Sequence, residues 1–198
     1  LEGWFLRNLN PGYSYVIEES GRKSTRRGSL TASLLRHHLG LDGGEPQYLA
    51  IRPNHKTSWI ALDIDRHRSP HHPDHGYGAL EMLLERCRLL GLKRPLQIRS
   101  SFSGGIHLWF PLKKPVRTFY AALSVKRGLL TPGIESGLDG EFYTFHVPEL
   151  MQLAGGVLEV FPNDKFLDSD YKAIRMPCTG QGNGLFVDGF GIVDEPGV

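Results

Sequence analysis

Residues 58–65 read SWIALDID, and this octapeptide carries the strongest signals for both fold and chemistry. Its residues from Trp59 to Leu62, together with Ile64, are apolar and predict a largely buried β-strand. The strand ends in two acids, Asp63 and Asp65. Because side chains two apart on a strand point to the same face, both carboxylates are expected to face one side of a sheet.

The two acids repel each other, and a carboxylate at the end of a buried strand costs free energy unless a cation lies beside it. Carboxylate oxygens are hard ligands that suit Mg²⁺ or Mn²⁺, with substrate phosphates completing the coordination. Asp63 and Asp65 are therefore candidate metal ligands. The alternative is a solvated strand end with two incidental acids.

A second stretch, RSSFSGGIHLWF, runs from Arg99 to Phe110. Gly104 and Gly105 allow a tight turn through which backbone amides approach an anion closely. The apolar residues after His107 predict a strand that holds its ring at the sheet edge. The candidate donors to phosphate oxygens are Arg99, Ser101, Ser103, Gly104 and His107. A plain glycine hairpin with a surface histidine is the alternative.

A third stretch, GGVLEVFPNDK, places Glu159 inside an apolar strand, where a carboxylate is unusual unless it is exposed on the polar face or bound to a cation. Asp164 is the competing acid. The following strand, YKAIRMP, carries Lys172 and Arg175. Residues three apart on a strand face opposite sides, so one of the two cations at most is expected in the cleft of Glu159, unless twist or a bulge intervenes.

The remaining pattern predicts an α+β domain with helices on one face of a sheet. Helices are expected at Ser29 to Gly40, capped by Ser29, at Ala79 to Leu90, and at about 115–130. Strands are expected at YLAIRP (48–53) and at the hairpin-like pair PLQIRSSF and IHLWFPL.

The 198 residues, 40% of them hydrophobic, fit one domain, and the net charge of +2 is only weakly compatible with a nucleic-acid partner. No apolar run approaches the roughly 20 residues needed to cross a bilayer. With no export signal, Cys87 and Cys178 are expected to be reduced thiols in a cytoplasmic protein. Since the chain begins with Leu1, we expect it to be a fragment of a longer protein.

Two charged segments each allow more than one interpretation. GRKSTRRG contains Arg22, Lys23, Arg26 and Arg27, which form either a solvated loop or a contact to template phosphates. RHRSPHHPDH contains His67, His71, His72 and His75, whose spacing fits no standard zinc finger, so a solvated loop is favoured over a zinc site.

The order of these stretches resembles the three motifs of the archaeo-eukaryotic primases, and SGGIHLWF, LEVFPND and AIRMP resemble their primase-polymerase branch. The resemblance covers about residues 48–188. It implies that Asp63, Asp65 and Glu159 are catalytic and hold two Mg²⁺ or Mn²⁺ ions. It further implies that His107 contacts the phosphates of the incoming nucleotide, and we expect Arg99 or Ser103 and Lys172 or Arg175 to help it. The family usually has Ser where Gly105 stands, and more often Asp where Glu159 stands.

The implied fold is an RRM-like antiparallel half packed with a smaller N-terminal α/β half, with the active site in the cleft between them. The resemblance also implies that residues 1–198 form one catalytic domain, in which about 1–47 begin the small module and 48–198 carry the motifs. The implied reaction joins nucleoside triphosphates to a 3′-hydroxyl on a single-stranded or primed DNA template. A helicase or another domain is a possible partner in the full-length chain.

Two other functions stay open. A rolling-circle endonuclease needs paired metal-binding histidines on one strand and a tyrosine nucleophile, for which Tyr120 is the best candidate. A non-catalytic nucleic-acid-binding module would not need the paired acids.

Overall fold

The computed structural model describes residues 9, 11–19, 22–44, 47–69, 71–75, 78–100, 103–130, 158–163, 172–177, 186–188 and 191–193. The strands are β1 (Pro11–Glu19), β2 (Arg22–Arg27), β3 (Tyr48–Pro53), β4 (Lys56–Ile64), β5 (Leu96–Arg99), β6 (Ile106–Arg117), β7 (Glu159–Phe161), β8 (Ile174–Arg175), β9 (Phe186–Asp188) and β10 (Gly191–Val193). The helices are α1 (Ala32–His38), α2 (Ala79–Leu89) and α3 (Thr118–Leu130), with a 3₁₀ turn at Pro73–His75.

The larger sheet has six strands in the order β10-β9-β5-β6-β4-β7, and all of its recorded pairings are antiparallel. The octapeptide SWIALDID lies in β4, which pairs with β6 on one side and β7 on the other. The strand that carries the two acids is therefore flanked by the strands that carry His107 and Glu159.

Strand alternation gives this sheet two distinct faces. Ile60, Leu62 and Ile64 of β4 pack with α2 and α3 in one hydrophobic cluster. Trp59 and Ala61 point the other way, into a second cluster shared with α1 and the smaller sheet. The six-stranded sheet thus forms the middle layer, covered by two helices on one face and by α1 and the smaller sheet on the other.

The smaller sheet has four strands in the order β2-β1-β3-β8. Its apolar residues Ile17, Leu49, Ile51 and Ile174 belong to the cluster that includes Leu35 of α1. Because β3 and β8 come from the part of the chain after residue 47, the division at that residue does not separate the two sheets.

The fold class predicted from the sequence, α+β with antiparallel strands, is confirmed. Cys87 of α2 is buried, and burial raises the pKa of its thiol to about 12. Cys178 lies outside the described residues. Within those residues, no helix has the length and apolar character needed to span a bilayer.

Three local predictions need correction. GRKSTRRG is mostly strand β2, because its residues pair in register with β1 and are not a free loop. Helix α1 is capped by Thr31, whose hydroxyl accepts the Leu34 N–H at 3.3 Å, and not by Ser29. Residues 115–117 continue β6, so the third helix begins at Thr118.

Candidate active site

Three of the predicted site residues form one row across three adjacent strands. Asp63 of β4 is directly opposite His107 of β6 on one side and Glu159 of β7 on the other. Directly opposite residues in antiparallel strands have Cβ atoms about 5 Å apart, so the three side chains are neighbours on one face. The Nε2 atom of His107 lies 3.5 Å from Oδ1 of Asp63.

The next row on the same face is apolar and buried. Ala61 lies opposite Trp109 and Phe161, and all three belong to the cluster beneath the smaller sheet. The rings of Trp59 and Trp109 pack at 4.8 Å between centroids. A close-packed apolar layer resists deformation, so the neighbouring row of His107, Asp63 and Glu159 is held rigidly.

Asp65 lies one residue beyond the end of β4 and caps the turn that follows. Its Oδ1 accepts the backbone N–H of His67 at 2.8 Å and of Arg68 at 3.0 Å. Asp63 and Asp65 both line one cavity, as their spacing predicts.

That cavity has a volume of about 580 Å³ and is lined by residues of both sheets. The six-stranded sheet contributes Asp63, Asp65, His107 and Glu159. The smaller sheet and the residues just before β8 contribute the cationic side chains Lys23, Arg52, Lys172 and Arg175. The cavity therefore has an acidic wall, formed by the six-stranded sheet, and a wall that we call basic, in which these four cations outnumber the single acid Glu18.

Lys172 and Arg175 both line this cavity, contrary to the prediction that one at most would do so. Lys172 precedes the two-residue strand β8, so strand alternation does not govern its direction. Its Nζ forms an ion pair with Oε1 of Glu159. Lys172 is thus held against the third acid of the row.

Arg175 ties the two sheets together. Its Nη2 lies 2.9 Å from Oε2 of Glu18 on β1, its Nη1 donates to the Ser100 carbonyl at 3.1 Å, and its guanidinium lies 4.8 Å from the centroid of the Tyr48 ring. Sequence reasoning missed Glu18 and Tyr48 as cavity residues. Their alternation with buried Ile17 and Leu49 places them on the cavity face, but that is evident only once the sheet pairing is known.

The prediction for Arg99 needs correction, because this residue does not belong to the phosphate-binding group predicted around His107. Ile98 is opposite His107 and buried with the cavity-side cluster, so Arg99 alternates onto the other face. Its partner in register, Ile106, packs with the helices. Ser103 does line the cavity, whereas Ser101 lies outside the described residues, as does Asp164.

The turn between β5 and β6 needs both of its glycines. Gly104 has a φ of +87°, and a Cβ there would meet Cδ of Arg66 at 2.9 Å. A Cβ on Gly105 would lie 2.6 Å from Oγ of Ser100 and 3.2 Å from the Ile64 carbonyl oxygen. The Gly105 carbonyl accepts the Ser100 N–H at 2.7 Å, which closes the turn.

The four cations of β2 do not form a single patch. All residues of β2 are exposed, and alternation divides them between two faces. Lys23 and Thr25 line the cavity, so Arg27 shares their face while Arg22 and Arg26 are on the opposite one. Of the four predicted template contacts, Lys23 is the one that lines the cavity.

The described residues of the histidine-rich segment are partly buried and contact the glycine turn, which corrects the interpretation of this segment as a solvated loop. Ser69, His71 and His72 are buried. The Nε2 of His72 lies 2.9 Å from the Gly104 carbonyl oxygen, and Nε of Arg66 lies 2.6 Å from Oδ2 of Asp74. The segment therefore connects the acid-bearing end of β4 to the glycine turn.

Among the described residues, no group of three or more His, Cys, Asp or Glu side chains is arranged to hold a metal ion. Lys172 holds Glu159, and backbone N–H groups hold one oxygen of Asp65. The donor chemistry nevertheless suits Mg²⁺ or Mn²⁺, since the carboxylates of Asp63, Asp65 and Glu159 line the same cavity.

No protein-family model and no curated protein matches this sequence.

Proposed function

We propose that this chain is a template-directed nucleotidyltransferase of the archaeo-eukaryotic primase-polymerase type, which joins nucleoside triphosphates to a 3′-hydroxyl. The observation that carries the proposal is the row His107–Asp63–Glu159, with Asp65 beside it, in one cavity with a basic wall. A triphosphate needs cations around its oxygens, and the metal ions that accompany it need carboxylates. The two walls supply both.

The basic wall would bind the polyphosphate. Lys172 and Lys23 supply ammonium groups at the cavity, and Ser103 supplies a hydroxyl. His107 is 5% exposed, so its ring is held in one orientation and adds a directed ring nitrogen at the centre of the row. Arg175 would mainly hold the basic wall in place, because its guanidinium already donates to Glu18 and to the Ser100 carbonyl.

Asp63, Asp65 and Glu159 are the residues that would hold Mg²⁺ or Mn²⁺. When bound, such ions lower the pKa of an attacking hydroxyl and offset negative charge on the triphosphate and the departing pyrophosphate. The protein's part is to place the carboxylates on a rigid sheet next to the phosphate-binding groups. Fixed donors of this kind stabilise charge that develops in the transition state.

The size of the cavity suits the proposed substrate. About 580 Å³ lies within the roughly 300–1,000 Å³ that is typical of small-molecule sites. The exposed ribbon of β1 and β2 borders the cavity through Lys23 and Thr25 and offers a surface for a DNA template.

The position of Tyr120, the candidate nucleophile, argues against a rolling-circle endonuclease. Tyr120 is 57% exposed on α3, and α3 packs on the helix-covered face of the sheet, opposite to the acid row. A binding module without catalysis leaves the clustering of three acids unexplained, since like charges on one face weaken the binding of a polyanion.

The test is incorporation of labelled deoxynucleotides and ribonucleotides on primed and unprimed single-stranded DNA, with Mg²⁺ or Mn²⁺. We expect the wild-type chain to incorporate nucleotides and the Asp63→Asn, Asp65→Asn variant to lose at least about 10³-fold in rate, because these carboxylates carry the electrostatic stabilisation. Asp42→Asn, at an exposed acid remote from the cavity, is the matched control and should keep full activity.

Equal incorporation by the wild-type chain and the double variant would contradict the proposal. So would a wild-type chain that binds DNA but incorporates neither kind of nucleotide with either metal. The primed and unprimed arms separate extension from primer synthesis.

A further inference from the structure

His72 is a buried side chain that sequence reasoning assigned only to a solvated loop or a zinc site. It is 5% exposed and lies behind the glycine turn. Its Nδ1 accepts the backbone N–H of Asp74 at 3.2 Å, and its Nε2 lies 2.9 Å from the Gly104 carbonyl oxygen. Because Nδ1 accepts, the ring proton of the neutral imidazole is on Nε2, which donates to Gly104.

This hydrogen bond determines the orientation of the peptide unit between Gly104 and Gly105. The peptide group is planar and trans, so its N–H points opposite to its C=O. His72 holds the Gly104 carbonyl on its own side, and the Gly105 N–H is therefore directed away from His72. Gly105 lines the cavity, and neither His72 nor Gly104 is among the residues that line it.

Other contacts hold the same turn. The Gly105 carbonyl accepts the Ser100 N–H, and the Ser100 carbonyl accepts from Arg175. Three carbonyls of this turn, those of Ser100, Gly104 and Gly105, are thus occupied by protein donors. At these three residues the carbonyl oxygens have protein donors, so an N–H group such as that of Gly105 is the one suited to contact a ligand, and an N–H group binds an anion.

We propose that His72 is a positioning residue that orients the Gly105 amide to bind a phosphate group of the nucleotide. This inference rests on the proposed function, since it assigns a phosphate donor to the same cavity. His72 does not touch the substrate in this arrangement. It acts through the Gly104 carbonyl.

The two nitrogens of His72 can be tested separately by substitution. Glutamine places its amide nitrogen close to the position of Nε2, so His72→Gln keeps the donor to Gly104. Asparagine reaches only the position of Nδ1, so His72→Asn keeps the contact to Asp74 and loses the one to Gly104. We expect His72→Asn to raise KM for the nucleotide about tenfold or more with kcat within about twofold, and His72→Gln to stay close to wild type.

Binding without turnover gives the second measurement. A fluorescent nucleoside triphosphate and the corresponding nucleoside without phosphates are titrated into each variant. We expect His72→Asn to weaken triphosphate binding about tenfold and to leave nucleoside binding unchanged. A purely structural role would instead weaken both ligands together or lower only the melting temperature, and either result would overturn the inference.

If neither variant folds, replacement of the Gly104–Gly105 peptide bond by an ester removes the Gly105 N–H directly. Binding of the triphosphate and of the nucleoside to this ester protein is then measured in the same way. Unchanged triphosphate binding by the ester protein would overturn the inference. A wild-type chain that does not bind triphosphate refutes the proposed function itself. A wild-type chain that binds it, with both His72 variants indistinguishable from it, refutes the role of His72 alone.

Discussion

Glu159 has an ion-pair partner in the structure, and the proposed function would give it a metal ion as a second partner. In the described arrangement, its carboxylate forms an ion pair with Lys172, whose side chain is 59% exposed. A divalent cation bound at the acid row would compete with this ammonium group for the same oxygens. Lys172 in turn would be released toward the phosphates that arrive with the metal.

Removal of this competitor should strengthen metal binding. We expect Lys172→Met to raise the affinity for Mn²⁺ about two- to fivefold, because an exposed ion pair is worth about 0.5–1 kcal/mol. The same variant should bind triphosphate more weakly, since it lacks a phosphate-binding cation. Isothermal titration calorimetry with Mn²⁺ alone, then with triphosphate alone, measures both effects.

Lys23→Met is the control for this experiment. Lys23 lines the same cavity but pairs with Glu18 at 3.9 Å and not with the acid row. Its removal should leave the affinity for Mn²⁺ unchanged. An unchanged or lower Mn²⁺ affinity in Lys172→Met would show that Lys172 does not compete with the metal.

At the scale of elements, the period of two along β4, β6 and β7 determines which side chains can meet. Odd-numbered residues from Trp59 to Asp63 face the smaller sheet, and even-numbered ones face α2 and α3. A shift of one residue in the pairing would turn the acids toward the helices. The glycine turn between β5 and β6 helps to hold that register.

Gly105 should tolerate no side chain in this turn. We expect Gly105→Ala to lower the free energy of unfolding by about 1–3 kcal/mol, the usual cost of overpacking, because its Cβ would lie 2.6 Å from Oγ of Ser100. Removal of that hydroxyl with Ser100→Ala should recover part of the loss. The measurement is urea denaturation of the wild-type chain, both single variants and the double variant.

The double-mutant cycle separates this contact from a general effect of alanine. If the two substitutions contribute additively, the clash with Ser100 is not the cause of the instability. Full recovery is not expected, since the Ile64 carbonyl oxygen lies 3.2 Å from the same Cβ position.

At the scale of the whole molecule, His38 links distant segments of the smaller sheet layer. It is fully buried at the end of α1, its Nδ1 accepts the Leu49 N–H at 3.2 Å, and its Nε2 lies 3.1 Å from the Pro177 carbonyl oxygen. Burial lowers the pKa of His38, and the charge of Arg175 lowers it further, against the opposing effect of the Gln47 and Pro177 carbonyls. The native protein therefore keeps this imidazole neutral.

The stability of the protein should consequently fall with acidification. An unfolded histidine titrates near 6.5, so below that pH the unfolded chain binds a proton that native His38 resists. We expect the free energy of unfolding to drop by about 1 kcal/mol from this residue between pH 7.5 and 5.5. The contribution of neutral His38 to the free energy of unfolding is present above pH 6.5 and is lost as the pH falls toward the lowered pKa of native His38.

Denaturation of the wild-type chain and of His38→Gln at both pH values tests this. The variant should be less stable at pH 7.5 but should lose less on acidification, because glutamine does not titrate. Equal losses in the two proteins would show that His38 does not cause the pH dependence.

Local pattern alone determined a substantial part of this protein. The apolar run before Asp63 gave a buried strand, and the spacing of Asp63 and Asp65 put both acids at one cavity. The helix predicted at Ala79 to Leu90 is present at Ala79–Leu89. These features depend on periods of two or 3.6 residues, which are legible within a dozen residues. The placement of His107 and Glu159 beside Asp63 was an expectation from resemblance, and the register of β4 with β6 and β7 accounts for it physically.

Only the tertiary structure decided the surroundings of that row. Arg175 meets Glu18 across 157 positions of sequence, His38 meets Pro177 across 139, and His72 meets Gly104 across 32. The face of Arg99 and the division of the β2 cations between two faces depended likewise on which strands pair. Such contacts arise from sheet order and register, which are set by packing of the whole core and leave no periodic trace in the local sequence.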